Sequence, residues 1–94
     1  MLVALLCFDK PNSVELRMKL RPTHLQWIER TGVQLAFAGP MLNEKGEAPH
    51  GSMIIGEFES LEAAEAFSKA DPYAQNGLFE RVVIKRSVQV YPKK

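Results

Sequence analysis

Seven consecutive apolar residues, Leu2 through Phe8, open the chain and stop at Asp9-Lys10-Pro11-Asn12. A strand with one wet face alternates apolar and polar side chains, whereas an unbroken apolar run of this length describes a strand covered on both faces. The run is far too short for a membrane span, and no basic segment precedes it as a secretory signal requires. The chain must therefore supply, or recruit, cover for both faces of a sheet.

The segments that follow indicate what is available. Asn12, with Glu15 three residues on, has the form of a helix cap, and Leu16 and Leu20 repeat at one-turn spacing up to Pro22. Proline has no N–H and suits the first position of a helix, so the sequence predicts a break at Arg21–Pro22. A fresh helix then carries Leu25, Trp27, Ile28 and Thr31 and stops at Gly32. Val33, Leu35 and Phe37 alternate with Gln34, Ala36 and Ala38, which predicts a strand ending at Gly39-Pro40. Asn43, Gly46, Pro49 and Gly51 mark residues 41–51 as a loop longer than a hairpin needs. Ser52 to Glu59 reads as a strand, after which Ser60 caps a helix whose Ala63, Ala66, Phe67 and Ala70 share a face. Asp71-Pro72 ends that helix, Tyr73 to Gly77 form a turn, and Phe79 to Tyr91 alternate as a long last strand bent near Lys85–Arg86. Only Pro92 to Lys94 reads as a tail.

The order β-α-β-β-α-β predicts an α+β, ferredoxin-like fold: a four-stranded antiparallel sheet with both helices on one face. With 94 residues, the expectation is one domain spanning the whole chain. Two helices cover one face only, yet the first strand is apolar on both, and the last sends Val82, Ile84, Val88 and Val90 to one side. A second copy stacked sheet to sheet is the simplest cover, so a homodimer through the open sheet face is expected.

Charge and cysteine use narrow the function. Twelve Lys and Arg against eleven Asp and Glu give no positive field of the kind that nucleic acid binding needs. The single Cys7 reads as a small core residue without a disulfide partner, which fits a reducing compartment, most simply the cytoplasm. There is no Gly-rich phosphate loop, no metal triad and no nucleophile elbow, so metal and dinucleotide chemistry are not supported.

In this topology Cys7, the Arg21–Pro22 break with His24, the 41–51 loop and Asp71 fall towards one end of the domain. His24 and Asp71 thereby become candidates for a pair in which a carboxylate orients an imidazole. A helix starting at Pro22 places His24 in its first turn, where the helix dipole favours a neutral ring, while an adjacent Asp71 opposes that effect. A lone histidine and a helix-ending Asp-Pro are also ordinary structural features. Arg21 either binds an anion or flanks a helix start; Ser52 either donates to a ligand or opens a strand; Tyr73 either lines a pocket or packs over the second helix. His50 reads as a solvated loop residue, and Arg81, Lys85 and Arg86 as a solvated strand face.

The stretches RPTHLQWI, AGPM, GEFESLEAAEAF and DPYAQNGLFERVVIK together resemble the YciI-like, or YCII-related, family over nearly the whole chain. The most specific pieces are Arg21-Pro22 with His24-Leu25, Ala38-Gly39-Pro40 and Asp71-Pro72-Tyr73. The resemblance implies a dimeric α/β barrel of ferredoxin-like subunits, with a histidine and an aspartate, here His24 and Asp71, as an acid–base pair. It further implies cofactor-free proton transfer on a small cyclic or chlorinated organic compound, of lyase, isomerase or hydrolase type. A non-catalytic dimeric module that binds a metabolite or a protein is the competing reading.

Overall fold

The structure is a computed structural model that describes residues 1–93. Its elements are β1 (Leu2–Asp9), α1 (Val14–Arg30), β2 (Leu35–Leu42), β3 (Pro49–Glu57), α2 (Leu61–Ala70), α3 (Pro72–Gln75) and β4 (Phe79–Ser87). The four strands form one antiparallel sheet in the order β2-β3-β1-β4, the expected ferredoxin-like arrangement.

Alternation along β1 sorts the two faces. Val3, Leu5 and Cys7 are buried against Ile54, Phe58, Ala64 and Phe67, so this is the face that the helices cover. Ala4, Leu6 and Phe8 point the other way and stay partly accessible, beside Met53 and Ile55, which pair with Leu6 and Ala4. Val82 and Ile84 pair with Cys7 and Leu5 and pack on the helix-side core, not on the open face. β4 ends at Ser87, short of the expected Tyr91, and Val88, Val90 and Tyr91 are exposed outside any strand. The apolar open face therefore comes from β1, β3 and neighbouring Phe37 and Val83, without Val88 and Val90.

Further expectations are corrected. α1 runs unbroken through Pro22, because Arg17 and His24 on either side of it are each tied to other elements, and that anchoring outweighs one lost backbone bond. Its cap residue is Ser13 without a side-chain cap bond, not Asn12, which takes a positive φ of 58°. β2 continues through Gly39-Pro40 to Leu42, since β2 is an edge strand on which proline's missing N–H breaks no ladder. The connection to β3 is correspondingly short, residues 43–48. Finally, Tyr73 belongs to the one-turn helix α3 rather than to a plain turn, which makes three helices among the described residues.

Other local signals hold. Ser60 Oγ accepts from the backbone N–H of Ala63 at 3.0 Å and caps α2. Gly32 follows α1 with a φ of 71°, a left-handed stop that favours glycine. Of the expected tail, Lys94 lies outside the described residues. No helix among the described residues is long and apolar enough to cross a membrane.

Cys7 is 1% exposed, and burial, helped by the negative charge of Asp71, pushes its thiol up to about 12. The native protein is therefore expected to resist iodoacetamide at about pH 9, where an ordinary thiol is largely ionised, and to react once unfolded. The neutral thiol is favoured by the fold, so stability falls as pH rises from near 9 towards 12, through the window between the unfolded and folded values. Mass spectrometry of labelled native and denatured protein reads the first effect, and rapid native labelling at the stability optimum would contradict it.

Candidate functional site

Residues 17, 21, 24 and 28 of α1 recur at steps of four, three and four, so one stripe of the helix faces the sheet. Between that stripe and the helix-side surface of β2 and β3 lies a cavity of about 290 Å³. Arg17, Arg21 and His24 line it from α1, Pro40 and Ser52 from the strands, and Tyr73 from α3, while Leu25, Ile28, Ala38 and Ile54 supply apolar wall. A larger hollow of about 610 Å³ sits beside residues 86–89 and holds none of these groups, so the smaller one is the chemical site.

His24 is 8% exposed and lies deep in α1, not in the first turn of a helix, so the expected dipole effect has no basis here. Its Nδ1 is 2.9 Å from Asp71 Oδ1, which bears out the pairing across 47 residues. Asp71 is placed by two adjacent demands. Preceding a proline, it takes extended angles (φ −58°, ψ 126°), and its Oδ1 accepts from the backbone N–H of Tyr73 at 2.9 Å to cap α3. An oxygen already accepting there accepts from His24 too, which puts the ring hydrogen on Nδ1. Nε2 has no partner among the described residues, on a residue that lines the cavity.

Tyr73 stacks on the His24 ring with centroids 4.0 Å apart and 14° between planes, and Arg17 lies over the same tyrosine at 4.5 Å. Burial pushes the Tyr73 phenol up, with Arg17 pulling against it. Sequence reasoning passed over Arg17 altogether. It is 4% exposed; Nε donates to Asp9 Oδ2 at 2.7 Å, and Nη2 donates to Asp9 Oδ1 and to Ser52 Oγ, each at 2.9 Å. Burial works against the guanidinium's charge, but the hydrogen bond and charge of Asp9 outweigh it and hold Arg17 above its ordinary value. The signal was available, since Arg17 stands two turns before His24 on the same stripe.

The remaining sequence candidates divide. Ser52 is buried, lines the cavity and accepts from Arg17; Arg21 is exposed at the rim and forms no ion pair among the described residues. Of the 41–51 segment only Pro49 reaches the cavity, and His50 stays exposed with Nε2 donating to the Leu42 carbonyl at 2.8 Å. Arg81 lies over the Phe8 ring on the open face, while Arg86 pairs opposite Val3 towards the other, so the three basic residues are not one patch. Among the described residues no group of three His, Cys, Asp or Glu is arranged to hold a metal ion.

Known proteins share this whole architecture. The chain is 42% identical to protein YciI of Escherichia coli over 97% of its own length and 100% of that protein's. It is 32% identical to an uncharacterized protein of Haemophilus influenzae, over 88% and 92% of the two. In structure it is similar to the 5-chloro-2-hydroxyhydroquinone dehydrochlorinase of Burkholderia phenoliruptrix solved with 2,5-dihydroxybenzoquinone, with a TM-score of 0.85, 27% identity and 94% of each chain covered. An antibiotic biosynthesis monooxygenase at 18% identity and a TM-score of 0.53 shares the fold alone. The model of the YCII-related domain matches residues 1–87, and the chain belongs to that family.

Proposed function

We propose that the protein is a cofactor-independent enzyme acting by proton transfer on a small cyclic or chlorinated organic compound, with His24 as acid–base group and Asp71 as its orienting partner. The observation that carries this reading is the buried Nδ1 to Asp71 contact of 2.9 Å, on a histidine whose other nitrogen has no partner among the described residues and which lines a cavity sized for one small ring. The dehydrochlorinase with the same fold supports the substrate class.

His24 Nε2 takes a proton from a carbon beside a carbonyl or hydroxylated ring position, and the C–H electron pair moves into the substrate. In an isomerisation that pair reaches the carbonyl oxygen, and the same proton returns to another carbon. In an elimination it expels chloride, and the proton leaves to solvent. Asp71 holds the ring in the productive tautomer and stabilises the imidazolium that forms. Arg21, Ser52 and Tyr73 line the space the substrate occupies.

A panel of chlorinated hydroquinones, enolisable ketones and lactones in D₂O, followed by NMR for deuterium uptake and by chloride release, tests the reading. Turnover by the wild type that disappears in His24→Gln is expected; equal turnover by both proteins would remove His24 from the chemistry. One observation favours a second reading, a binding module with His24–Asp71 as a clamp: Asp71 Oδ1 also caps α3, so the pair has structural work of its own.

The open sheet face motivates a homodimer. Ala4, Leu6, Phe8, Met53 and Ile55 stay partly accessible there beside Phe37, which is 50% exposed, and one self-complementary surface suffices for a two-fold pair. Sedimentation at micromolar concentration is expected to give twice the chain mass. Phe37→Glu should shift it towards the monomer, and a wild-type monomer would refute the arrangement.

A further inference from the structure

The hydrogen-bond inventory of the cavity does not balance. A guanidinium carries five N–H donors. Arg17 uses Nε and both hydrogens of Nη2 on Asp9 and Ser52, which leaves the two on Nη1. Ser52 Oγ accepts from Arg17, so its own hydrogen is free to be donated elsewhere, and no acceptor meets it among the described residues. Both residues line the cavity; among the described residues no unpartnered polar side-chain atom is wholly shut off, so Arg17 Nη1 keeps accessible surface, and the Ser52 hydroxyl hydrogen is free to turn towards the same space.

The charges are arranged in the same sense. Two arginines line the cavity and no carboxylate does, because Asp9 sits behind Arg17 and Asp71 behind His24. Hydrogen bonds from a guanidinium to an ionised acceptor are the strong ones, so a ligand oxygen carrying negative charge satisfies these donors best. The stacked Arg17, Tyr73 and His24 side chains also hold this corner next to the imidazole.

We infer that Arg17 Nη1 and the Ser52 hydroxyl form an oxyanion subsite, and that the ligand is a compact ring compound whose phenolic or enolisable oxygen is negative when bound. This rests on the acid–base reading only for its catalytic meaning: the subsite receives the electron pair released when His24 removes a proton. Asp9 is a positioning residue that fixes the guanidinium so that Nη1, rather than Nε, faces the ligand. Arg21 is exposed at the rim, where solvent and salt screen its charge.

Binding of 4-nitrophenol tests the subsite without any turnover. Its visible spectrum separates phenol from phenolate, and 4-nitroanisole is a neutral analogue of nearly the same shape. The wild type is expected to bind the phenolate in preference to the anisole and to lower the apparent pKa of the bound phenol. Ser52→Ala, which leaves the Asp9–Arg17 pair in place, should weaken phenolate binding by about 10-fold and leave anisole binding unchanged. Arg17→Lys should weaken it further, and Arg21→Gln less than either. His24→Gln should retain the phenolate preference, so a protein that binds phenolate but exchanges no protons would refute the acid–base reading and leave the subsite standing. A wild type that binds neither probe or favours the anisole, or a folded Ser52→Ala that binds phenolate as tightly as wild type, overturns the inference.

Discussion

Arg17→Met is expected to destabilise the protein by about 3–5 kcal/mol, the largest single effect on folding that the structure supports. The side chains of Arg17 and Asp9 are 5% and 3% exposed and meet through two hydrogen bonds, so removing the guanidinium strands a carboxylate away from water. The loss includes the bond to Ser52 and the stacking on Tyr73. Removing both ions should be milder than removing one. Asp9→Leu with Arg17→Met replaces a buried ion pair with apolar volume, and its urea midpoint is expected to recover most of the stability lost by Arg17→Met alone. If the double variant is as unstable as the sum of the single ones, the pair contributes through packing and not through charge.

Asp71→Asn is expected to lower turnover by roughly 10²–10⁴-fold while the protein stays folded. The asparagine carbonyl still accepts from Tyr73 N–H and caps α3, so the local backbone keeps its bond, but no charge remains to stabilise an imidazolium at His24. His24→Gln should show a loss of the same order, and the two together should lose little more than either, because they act as one unit. Thermal melts run beside the kinetics separate the two functional readings. A large drop in melting temperature with no turnover across the panel would favour the clamp over the catalyst.

The difference between these two pairs shows what a sequence can disclose. Asp71 was legible as the residue before a proline at a helix end, and His24 through the order of elements that carries it to the same end of the domain, although the helix boundary expected beside it does not exist. Asp9 and Arg17 were not. An aspartate closing a strand and an arginine inside a helix are ordinary until the sheet brings Ser52 up beside them.

The apolar run from Leu2 to Phe8 fixed the central strand, and Gly32, Ser60 and Asp71-Pro72 fixed helix ends, because those signals act through backbone angles and bonds within a few residues. The element order followed from them, and with it the sheet. Whether Pro22 breaks a helix, whether Pro40 ends a strand, and which way Val82 and Ile84 face were decided only by the assembled fold. Each depends on what lies across the chain: anchors for α1 on other elements, an open edge beside β2, and the register that sets Val82 against Cys7. Local chemistry is written in neighbouring residues, whereas burial and the pairing of charges exist only once distant segments meet.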